Sequence, residues 1–441
     1  MQNVTVPYGE GSLTFPVDDG IEITRLELND YPPLEDFNAE LERVLNHPTG
    51  SAPLREKVKA GDKVAIIISD FTRASYRTDL YLARLLDECN AGGVPDSDIT
   101  VVVATGYHDA ATEEEKLILA GEEAVKRVKI VSHNCRAEDL VHLGKTVRGN
   151  EVYINKIVAE ADKVVLTGGI CYHVFAGFGG GRKSIAPGVA GFSTIEQNHQ
   201  NCFSKEVKYE IDPHCNSGIL EHNPVSEEMF EIAGMVDPCF LVNVIVDDHG
   251  QFSGVVAGDW REAYYEGVEI IKKIYGVHIH KKFDAAIISN GGAPKDVNLF
   301  QSVKGLHNGG FAMNDGSSVV LCAECFQGFG PEGYRQGFEC ESYEKLWEKQ
   351  SYERYDPEMA ISLLTMRYLW HMKVYLISGL SDEDFRNCVA NGICKVNIFT
   401  DINCAAARAA HDGYREGCGL TDLQDGITQA VKEETTKKMR V

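Results

Sequence analysis

The feature that most constrains the fold is a series of short apolar runs, each of which ends at a polar or glycine-containing turn. The runs cover residues 63–68, 99–103, 164–166, 285–288, 319–321, 374–377 and 396–398. Continuous apolar runs of this kind are typical of parallel strands covered on both faces. Helical patterns lie between them, as at 78–89, and Thr112 and Glu115 have the spacing of a capping box. The sequence therefore predicts an α/β fold, with mostly parallel sheets flanked by helices and right-handed crossovers.

A domain boundary is predicted shortly before residue 283. A chain of 441 residues is long enough for two or three domains. A helical pattern over 260–275 is followed by a basic turn at 278–282, and a new strand begins at Phe283. We therefore predict one α/β domain over 1–277 and a second over 278–404, while the segment 405–441 could pack back on the first.

Composition limits the kinds of binding partner and the cellular compartment that are expected for this protein. The formal net charge of −23 argues against nucleic acid or an anionic membrane as a partner. We find no apolar run long enough to span a bilayer and no secretory signal at the start of the sequence. The 13 cysteines form no framework pattern, and Cys322 and Cys325 lack the second pair that a structural zinc site needs. We expect a cytoplasmic protein with free thiols.

One glycine-rich loop suggests a ligand site. The segment 172–184 contains His173, the run Gly179-Gly180-Gly181 and Lys183, and it follows the predicted strand at 164–166. Glycines at such a strand end let backbone N–H groups approach a phosphate closely. The loop fails the test of a nucleotide-triphosphate P-loop, because Arg182 stands where that motif has glycine. The loop is therefore interpreted as a site for another anionic or nucleotide-like ligand that encloses Lys183, and a tight structural turn is the alternative.

Two other strand ends carry residues suited to chemistry. Arg73 closes the segment Ser69-Asp70-Phe71-Thr72-Arg73, where it could hold a carboxylate or phosphate bidentately. His108 follows Thr105-Gly106-Tyr107, where it is placed for acid–base work near neutral pH. The alternatives are a helix cap with a surface arginine and an ordinary loop histidine.

Three residues in predicted helices complete the set. His199 follows a capping-box pattern at 193–196, which predicts that it lies in the second turn of a helix and is held rigidly enough to bind a metal. Gln301 and Lys304 are three positions apart, so on a helix they share one side and could bind a small carboxylate. A structural histidine and a solvated helix face are the alternatives. Because these segments follow strands, all of them could converge at one sheet edge.

Taken together, these segments resemble the nickel-dependent lactate racemase family. The resemblance runs through residues 70–73, 106–108, 173–187, 301–304 and 323–325. It implies two α/β domains with the active site in the cleft between them. It also implies a nickel(II) pyridinium-3,5-bisthiocarboxylic acid mononucleotide, called here the nickel-pincer nucleotide, and proteins that mature this cofactor.

The resemblance implies a role for each matched residue. Lys183 resembles the lysine that binds the cofactor covalently, and His199 resembles the protein ligand of nickel, in a near square-planar site that is sensible for nickel(II). His108 and His173 resemble the acid–base pair. The resemblance also implies two sets of binding residues. Those that would contact the cofactor are Asp70, Phe71, Thr72, Arg73, Gly179, Gly180 and Gly181. Those that would bind the substrate are Arg73, Gln301 and Lys304.

The implied reaction inverts the C2 centre of a 2-hydroxy acid. The Cα–H beside a charged carboxylate is not acidic, so hydride transfer to the cofactor through a 2-keto acid is the more plausible route. A histidine takes the hydroxyl proton, and two histidines serve the two stereoisomers. Arg73 and Lys304 would hold the keto acid in place.

Departures from the lactate racemase pattern cluster around the substrate. They are Ala74-Ser75-Tyr76, Tyr107 and Asp109 beside His108, and Cys171-Tyr172 before His173. We therefore expect a bulkier or more polar 2-hydroxy acid than lactate. The alternatives are an oxidoreductase or sugar-acid epimerase with another nucleotide cofactor, which lacks support from an early Gly-x-Gly-x-x-Gly, and a non-catalytic nickel- or nucleotide-binding protein.

Overall fold

The computed structural model describes residues 1–247, 249–380, 395–397, 429 and 433. In chain order, the strands of the described residues are β1 Gln2–Tyr8, β2 Gly11–Val17, β3 Val64–Ser69, β4 Ile99–Ala104, β5 Lys129–Ser132, β6 Val141–Lys145, β7 Glu151–Ile154, β8 Lys163–Gly169, β9 Tyr172–His173, β10 Gly177–Phe178, β11 Phe240–Val246, β12 Phe252–Gly258, β13 Phe283–Ser289, β14 Met313–Cys322, β15 Lys373–Ile377 and β16 Lys395–Asn397. The α-helices are α1 Phe37–Asn46, α2 Leu54–Lys57, α3 Leu82–Ala91, α4 Glu113–Arg127, α5 Lys156–Ala159, α6 Phe192–Gln200, α7 Pro224–Val236, α8 Glu262–Tyr275, α9 Leu299–Gly310, α10 Glu332–Phe338, α11 Tyr343–Glu348 and α12 Pro357–His371. None of these helices is long and apolar enough to cross a membrane.

The chain divides into two compact units. The central unit is Leu26–Val277, and the split unit joins Met1–Arg25 to the described residues that begin at His278. The first 25 residues therefore do not belong with the rest of the predicted 1–277 domain. The reason is long-range pairing, since β1 contacts β13 and the backbone N–H of Gly9 donates to Asp296 Oδ2 at 2.9 Å. The segment 405–441 lies outside the described residues except at 429 and 433.

The central unit is built on a six-stranded sheet of order β12-β11-β8-β3-β4-β5. Every neighbouring pair is parallel except β11 with β12, which is antiparallel. This arrangement confirms the predicted α/β fold with a mostly parallel sheet. The chain builds outward from β3 through β4 to β5 and then returns to the other side of β3 with β8. The direction of strand order thus reverses between β3 and β8, and open α/β sheets bind ligands at the carboxyl ends of strands beside such a point.

The apolar runs form the central strands of this sheet, which are buried on both faces. Residues 64–68 of β3 are at most 2 % exposed. The helix predicted over 78–89 begins later, at Leu82, but α3 buries the predicted apolar residues Leu82, Leu85, Leu86 and Cys89 in the core. The predicted capping box is confirmed at the start of α4, where the Glu115 backbone N–H donates to Thr112 Oγ1 at 3.2 Å and the Thr112 N–H donates to Glu115 Oε2 at 2.8 Å.

The split unit contains a parallel sheet of order β13-β14-β15-β16 and the antiparallel hairpin of β1 and β2. Helix α9 follows β13, and its first turn is capped by Asn298, whose side chain accepts a hydrogen bond from the Gln301 N–H at 3.0 Å. This confirms the helix predicted at Gln301 and Lys304. On its surface the Lys304 ammonium donates to Gln301 Oε1, so the two side chains lie on one side as their spacing predicts.

Candidate active site

A cavity in the central unit opens at the carboxyl ends of β3, β4 and β8, beside the point where strand order reverses. The predicted residues that line it are Asp70, Thr72, Arg73, His108, His173, Gly179, Gly180, Lys183 and His199. Phe71 and Gly181 are not part of this lining: Phe71 is exposed, and Gly181 packs against Tyr264. Gln301 and Lys304 lie on α9 of the split unit. The structure thus brings together the residues predicted at three strand ends and on α6.

His173 and Lys183 have a defined hydrogen-bonding arrangement. The backbone N–H groups of Phe175 and Ala176 point at His173 Nδ1, at 3.3 and 3.1 Å, so Nδ1 is an acceptor and carries no hydrogen. In a neutral imidazole the hydrogen must then be on Nε2. Nε2 lies 3.2 Å from Lys183 Nζ, so it donates to that nitrogen. Only an uncharged amine has the lone pair to accept this bond, and Lys183 is therefore unprotonated in this arrangement.

The electrostatics of the cavity agree with this assignment. Burial, followed by repulsion from Arg182 and Arg73, lowers the pKa of Lys183 to about 7. Burial and the neighbouring Lys183 hold the pKa of His173 well below its ordinary value. An uncharged amine in such a site is a nucleophile at neutral pH.

His199 is held on α6 as a neutral imidazole. Its Nδ1 lies 2.9 Å from the carbonyl oxygen of Ile195, which can only accept, so Nδ1 carries the hydrogen and Nε2 has the lone pair. Burial, followed by the repulsion that Lys183 exerts when it is protonated, lowers the pKa of His199 to about 4. A neutral imidazole with a fixed tautomer is the form that binds a metal.

The capping box predicted at 193–196 was wrong. Helix α6 begins at Phe192 with Gly191 as its N-cap and without a side-chain cap, so residues 193–196 are inside the first turns and form no capping box. His199 consequently lies in the last turn. Its rigidity has another source, because Asn198 and Asn201, on either side of it, both donate to Glu228 Oε2 at 2.9 Å.

His108 forms a pair with Asp70. Its Nδ1 lies 2.5 Å from Asp70 Oδ2, and Thr72 Oγ1 donates to the other carboxylate oxygen at 2.8 Å. Since a carboxylate accepts, Nδ1 of His108 carries the hydrogen and Nε2 has the lone pair. Asp70 is 8 % exposed, whereas the His108 side chain is 44 % exposed, so a fixed carboxylate orients an accessible imidazole. This pair is a suitable general base.

The glycine run is required by packing. Gly180 and Gly181 have φ of 75° and 53°. A Cβ on Gly180 would lie 2.8 Å from Asn243 Oδ1, and one on Gly181 would lie 2.6 Å from the Tyr264 ring. The structural turn that the sequence left as an alternative is therefore real. Gly179 and Gly180 nevertheless also line the cavity, so the turn contributes backbone to the site.

Tyr76 and Cys171 also line the cavity, although the sequence assigned them no role. The Tyr76 hydroxyl donates to Cys171 Sγ at 3.4 Å, and its ring covers Gly169, where a Cβ would lie 2.4 Å from the ring. In the sequence, both residues stand out only as departures from the lactate racemase pattern. Sequence position could have indicated that they line the site, because Cys171 is two residues after Gly169 and Tyr76 is three residues after Arg73.

The two cysteines at and just after the end of β14 lie elsewhere. Cys322 and Cys325 are buried free thiols in the split unit. Among the described residues, no three His, Cys, Asp or Glu side chains are arranged to hold a metal ion by themselves.

Comparison with known proteins identifies the family. The model of the lactate racemase N-terminal domain matches residues 8–210, and the model of the lactate racemase C-terminal domain matches residues 279–431. The chain belongs to the lactate racemase family. Members of this family are racemases, so the protein is an isomerase.

Relatives of the lactate racemase family match most of the chain. The lactate racemase of Thermoanaerobacterium thermosaccharolyticum is 34 % identical over 337 residues, which is 76 % of this chain and 77 % of that protein. The lactate racemase of Lactiplantibacillus plantarum is 31 % identical over 445 residues, 98 % of this chain and all of that protein. The structure of the lactate racemase apoprotein from T. thermosaccharolyticum superimposes with a TM-score of 0.77 at 30 % identity, over 93 % of this chain and 95 % of that one.

Proposed function

We propose that the protein inverts the C2 centre of a 2-hydroxy acid with a nickel-pincer nucleotide attached to Lys183. The observation that carries the proposal is the occurrence in one cavity of an uncharged lysine amine, a neutral histidine suited to a metal and two further histidines.

The residues present fit this cofactor. Lys183 has the lone pair that attachment through an amide-type bond requires, and His199 presents Nε2 as a neutral nitrogen ligand. Gly179, Gly180 and Thr72 line the same cavity and would contact the bound group. When bound, the cofactor would accept and return the hydride from C2.

The two histidines supply complementary proton chemistry. His108 has its lone pair on Nε2, because Nδ1 is engaged by Asp70, and can accept the hydroxyl proton. His173 has its hydrogen on Nε2, because Nδ1 accepts two backbone N–H groups, and in this neutral form it can donate a hydrogen bond to the oxygen on C2. We propose that the pair carries one extra proton: the neutral histidine takes the hydroxyl proton of one stereoisomer, and its partner, protonated to an imidazolium, gives a proton to the keto oxygen to form the other.

Arg73 and the split unit would hold the substrate carboxylate. Arg73 lines the cavity, and a guanidinium can bind a carboxylate through two parallel hydrogen bonds. Gln301 and Lys304, side by side on α9, are the proposed partners from the split unit. Holding the planar keto acid in place is necessary if hydride is to return to it before it escapes.

The substrate is proposed to be a 2-hydroxy acid other than lactate. Tyr76 and Cys171 form part of the cavity wall and bring a phenol hydroxyl and a thiol to it. These groups suit a side chain that is larger or more polar than methyl.

A cofactor-loaded enzyme can be tested on a panel of single-enantiomer 2-hydroxy acids, with the products separated by chiral chromatography. We expect racemisation or epimerisation of at least one acid and a preference for one larger than lactate. Absence of inversion on the whole panel by fully loaded enzyme would contradict the function, and a strong preference for lactate would contradict the proposed specificity.

A nucleotide-dependent oxidoreductase is a second candidate because of the strand order. The order β5-β4-β3-β8-β11-β12 is that of doubly wound dinucleotide-binding sheets. The turn after β3 nevertheless reads Asp70-Phe71-Thr72-Arg73 and lacks the glycines of that fingerprint. Net oxidation of a 2-hydroxy acid with added NAD, in the absence of nickel, would favour this candidate.

We further propose a cytoplasmic location and cofactor-maturation proteins as partners.

A further inference from the structure

Arg182, next to Lys183, is a buried cation without a carboxylate partner. It is 0 % exposed, and within the described part of the chain no Asp or Glu oxygen lies within ion-pair distance of it. Its guanidinium donates to Ala176 O at 2.7 Å, to Ser226 Oγ at 2.9 Å and to the Tyr264 hydroxyl, while its Nε has no partner. All three acceptors are neutral, so the positive charge is not compensated by an anion.

Aromatic rings take the place of an anion. Arg182 Cζ lies 4.8 Å from the ring centroids of both Phe230 and Tyr264. The ring faces stabilise a cation without neutralising it. Buried charges are normally paired, because removing an ion from water is costly. An arginine kept here with its charge intact therefore needs a reason.

Its position suggests the reason. Arg182 and Lys183 are consecutive in the 3₁₀ helix Gly181–Ser184, where Arg182 is buried and Lys183 is half-buried in the wall of the cavity. The other charged or titratable groups that face the Lys183 amine are His173, His199, Arg73 and Cys171. Both histidines are neutral, so the two guanidinium groups are the charges that act on the amine, and Arg182 is the fully buried one.

We propose that Arg182 is a positioning residue whose uncompensated buried charge keeps the Lys183 amine unprotonated and nucleophilic. A second positive charge on Lys183 would be repelled by the guanidinium in a medium that screens poorly. The proposal deepens the proposed function, since a lysine that becomes covalently attached to a cofactor must first have a free lone pair.

A purely structural role makes a different prediction. The three hydrogen bonds of Arg182 join the turn after β9, α7 and α8, and any residue that preserved this packing would then be sufficient. If the charge is what matters, a neutral residue of similar shape must alter Lys183 even where the fold is intact.

The test measures the pH dependence of Lys183 acetylation in the cofactor-free protein. Brief pulses of acetic anhydride between pH 5.5 and 10 are followed by mass spectrometry of the Lys183 peptide. Arg182→Met is expected to raise the midpoint by about one pH unit and to slow acetylation at pH 7 about fivefold. Arg182→Lys, which keeps a cation, should stay close to the wild type.

Arg261→Met is the matched control. Arg261 also lies against Phe230, at 5.6 Å, but it is exposed and stacks mainly on Trp260 at 4.2 Å. Its removal should leave the Lys183 midpoint unchanged. If Arg182→Met does not fold, Arg182→Gln, which keeps donors for Ala176 and Ser226, takes its place.

An unchanged midpoint in a folded neutral variant would overturn the proposal, and so would equal shifts in the neutral and lysine variants. The assay needs no cofactor. Failure of the wild-type protein to take up the nickel-pincer nucleotide would therefore count against the proposed function and leave the result on Arg182 standing.

Discussion

The His173 Nε2 atom lies 3.2 Å from Lys183 Nζ and must be the donor of the hydrogen bond between them. Two backbone N–H groups occupy the other ring nitrogen and so determine where the single hydrogen of the neutral imidazole is. The lysine is consequently an acceptor. A lysine that forms an amide-type bond loses that lone pair, so attachment of a cofactor would release His173 Nε2 for substrate.

Alanine variants of the two histidines should lose the interconversion of stereoisomers and keep the attachment of the cofactor. His108→Ala and His173→Ala are each expected to abolish interconversion, because each removes one of the two proton carriers, while the cofactor still becomes attached to Lys183. Chiral product analysis gives the first result and intact mass the second. Near-normal turnover in either variant would remove that histidine from the mechanism.

Asp70→Asn should impair the His108 base. The carboxylate orients the imidazole and stabilises the imidazolium that forms when Nε2 takes a proton. We expect kcat, measured per cofactor-loaded chain, to fall about 100-fold. Glu114→Gln, a change to an exposed carboxylate in the first turn of α4, is the control and should leave kcat within about twofold. Equal effects of the two changes on kcat would count against a role of the Asp70–His108 pair as the general base.

Glu228 is expected to secure the helix that carries His199. It is a buried carboxylate, 1 % exposed, that accepts hydrogen bonds from four neutral groups. The donors are Thr146 Oγ1, Asn150 Nδ2, Asn198 Nδ2 and Asn201 Nδ2, at 2.8–3.2 Å. Glu228→Leu leaves these donors unpaired and should lower the free energy of unfolding by at least about 3 kcal/mol in urea denaturation.

The neighbouring residue provides the control for that change. Glu227 also lies on α7, but its ion pair with Arg148 is partly exposed. Glu227→Leu should change the free energy of unfolding by less than about 1 kcal/mol. A comparable loss in both variants would show that α7 simply does not tolerate leucine.

The lowered pKa of Lys183 should appear in the pH dependence of stability. The folded pKa is about 7, whereas the ordinary value is 10.5. Between these values the unfolded chain binds the proton and the folded chain does not, so this lysine makes the folded state more stable as pH rises. Lys183→Met should therefore be more stable than the wild type at pH 7. This advantage should shrink at higher pH, by up to about 1.4 kcal/mol per pH unit.

Urea denaturation at several pH values between 7 and 9.5 measures that difference. Lys205→Met, at an exposed position of the same unit, should show a difference from the wild type that does not vary with pH. A pH-independent difference for Lys183→Met would mean that its folded pKa is ordinary.

The sequence predicted the elements that depend on local pattern. Continuous apolar runs predicted β3, β4 and β8 because strands buried on both faces need no alternation. The polar residues just after them, Asp70 and His108, met at one sheet edge because parallel strands end on the same side. The side-by-side placement of Gln301 and Lys304 followed from helical spacing alone.

Features that depend on long-range packing were not predictable in this way. The hairpin of β1 and β2 belongs with β13, nearly 300 residues away in sequence, and no local pattern marks that pairing. The start of α6 at Phe192 is set by Gly191 as N-cap, while the polar residues at 193–196 only imitate a cap. The hydrogen positions on His173 and His199 depend on carbonyl and N–H groups that only the folded backbone brings near them.

The most direct test is intact mass together with nickel content, measured on protein produced with and without the cofactor's biosynthetic enzymes. We predict a cofactor-sized mass gain on the Lys183 peptide and about one nickel ion per chain in the wild type. His199→Ala should keep the mass gain and lose the nickel, and Lys183→Ala should lose the mass gain. No adduct and no nickel in the wild type under loading conditions would contradict the account and favour a different nucleotide cofactor.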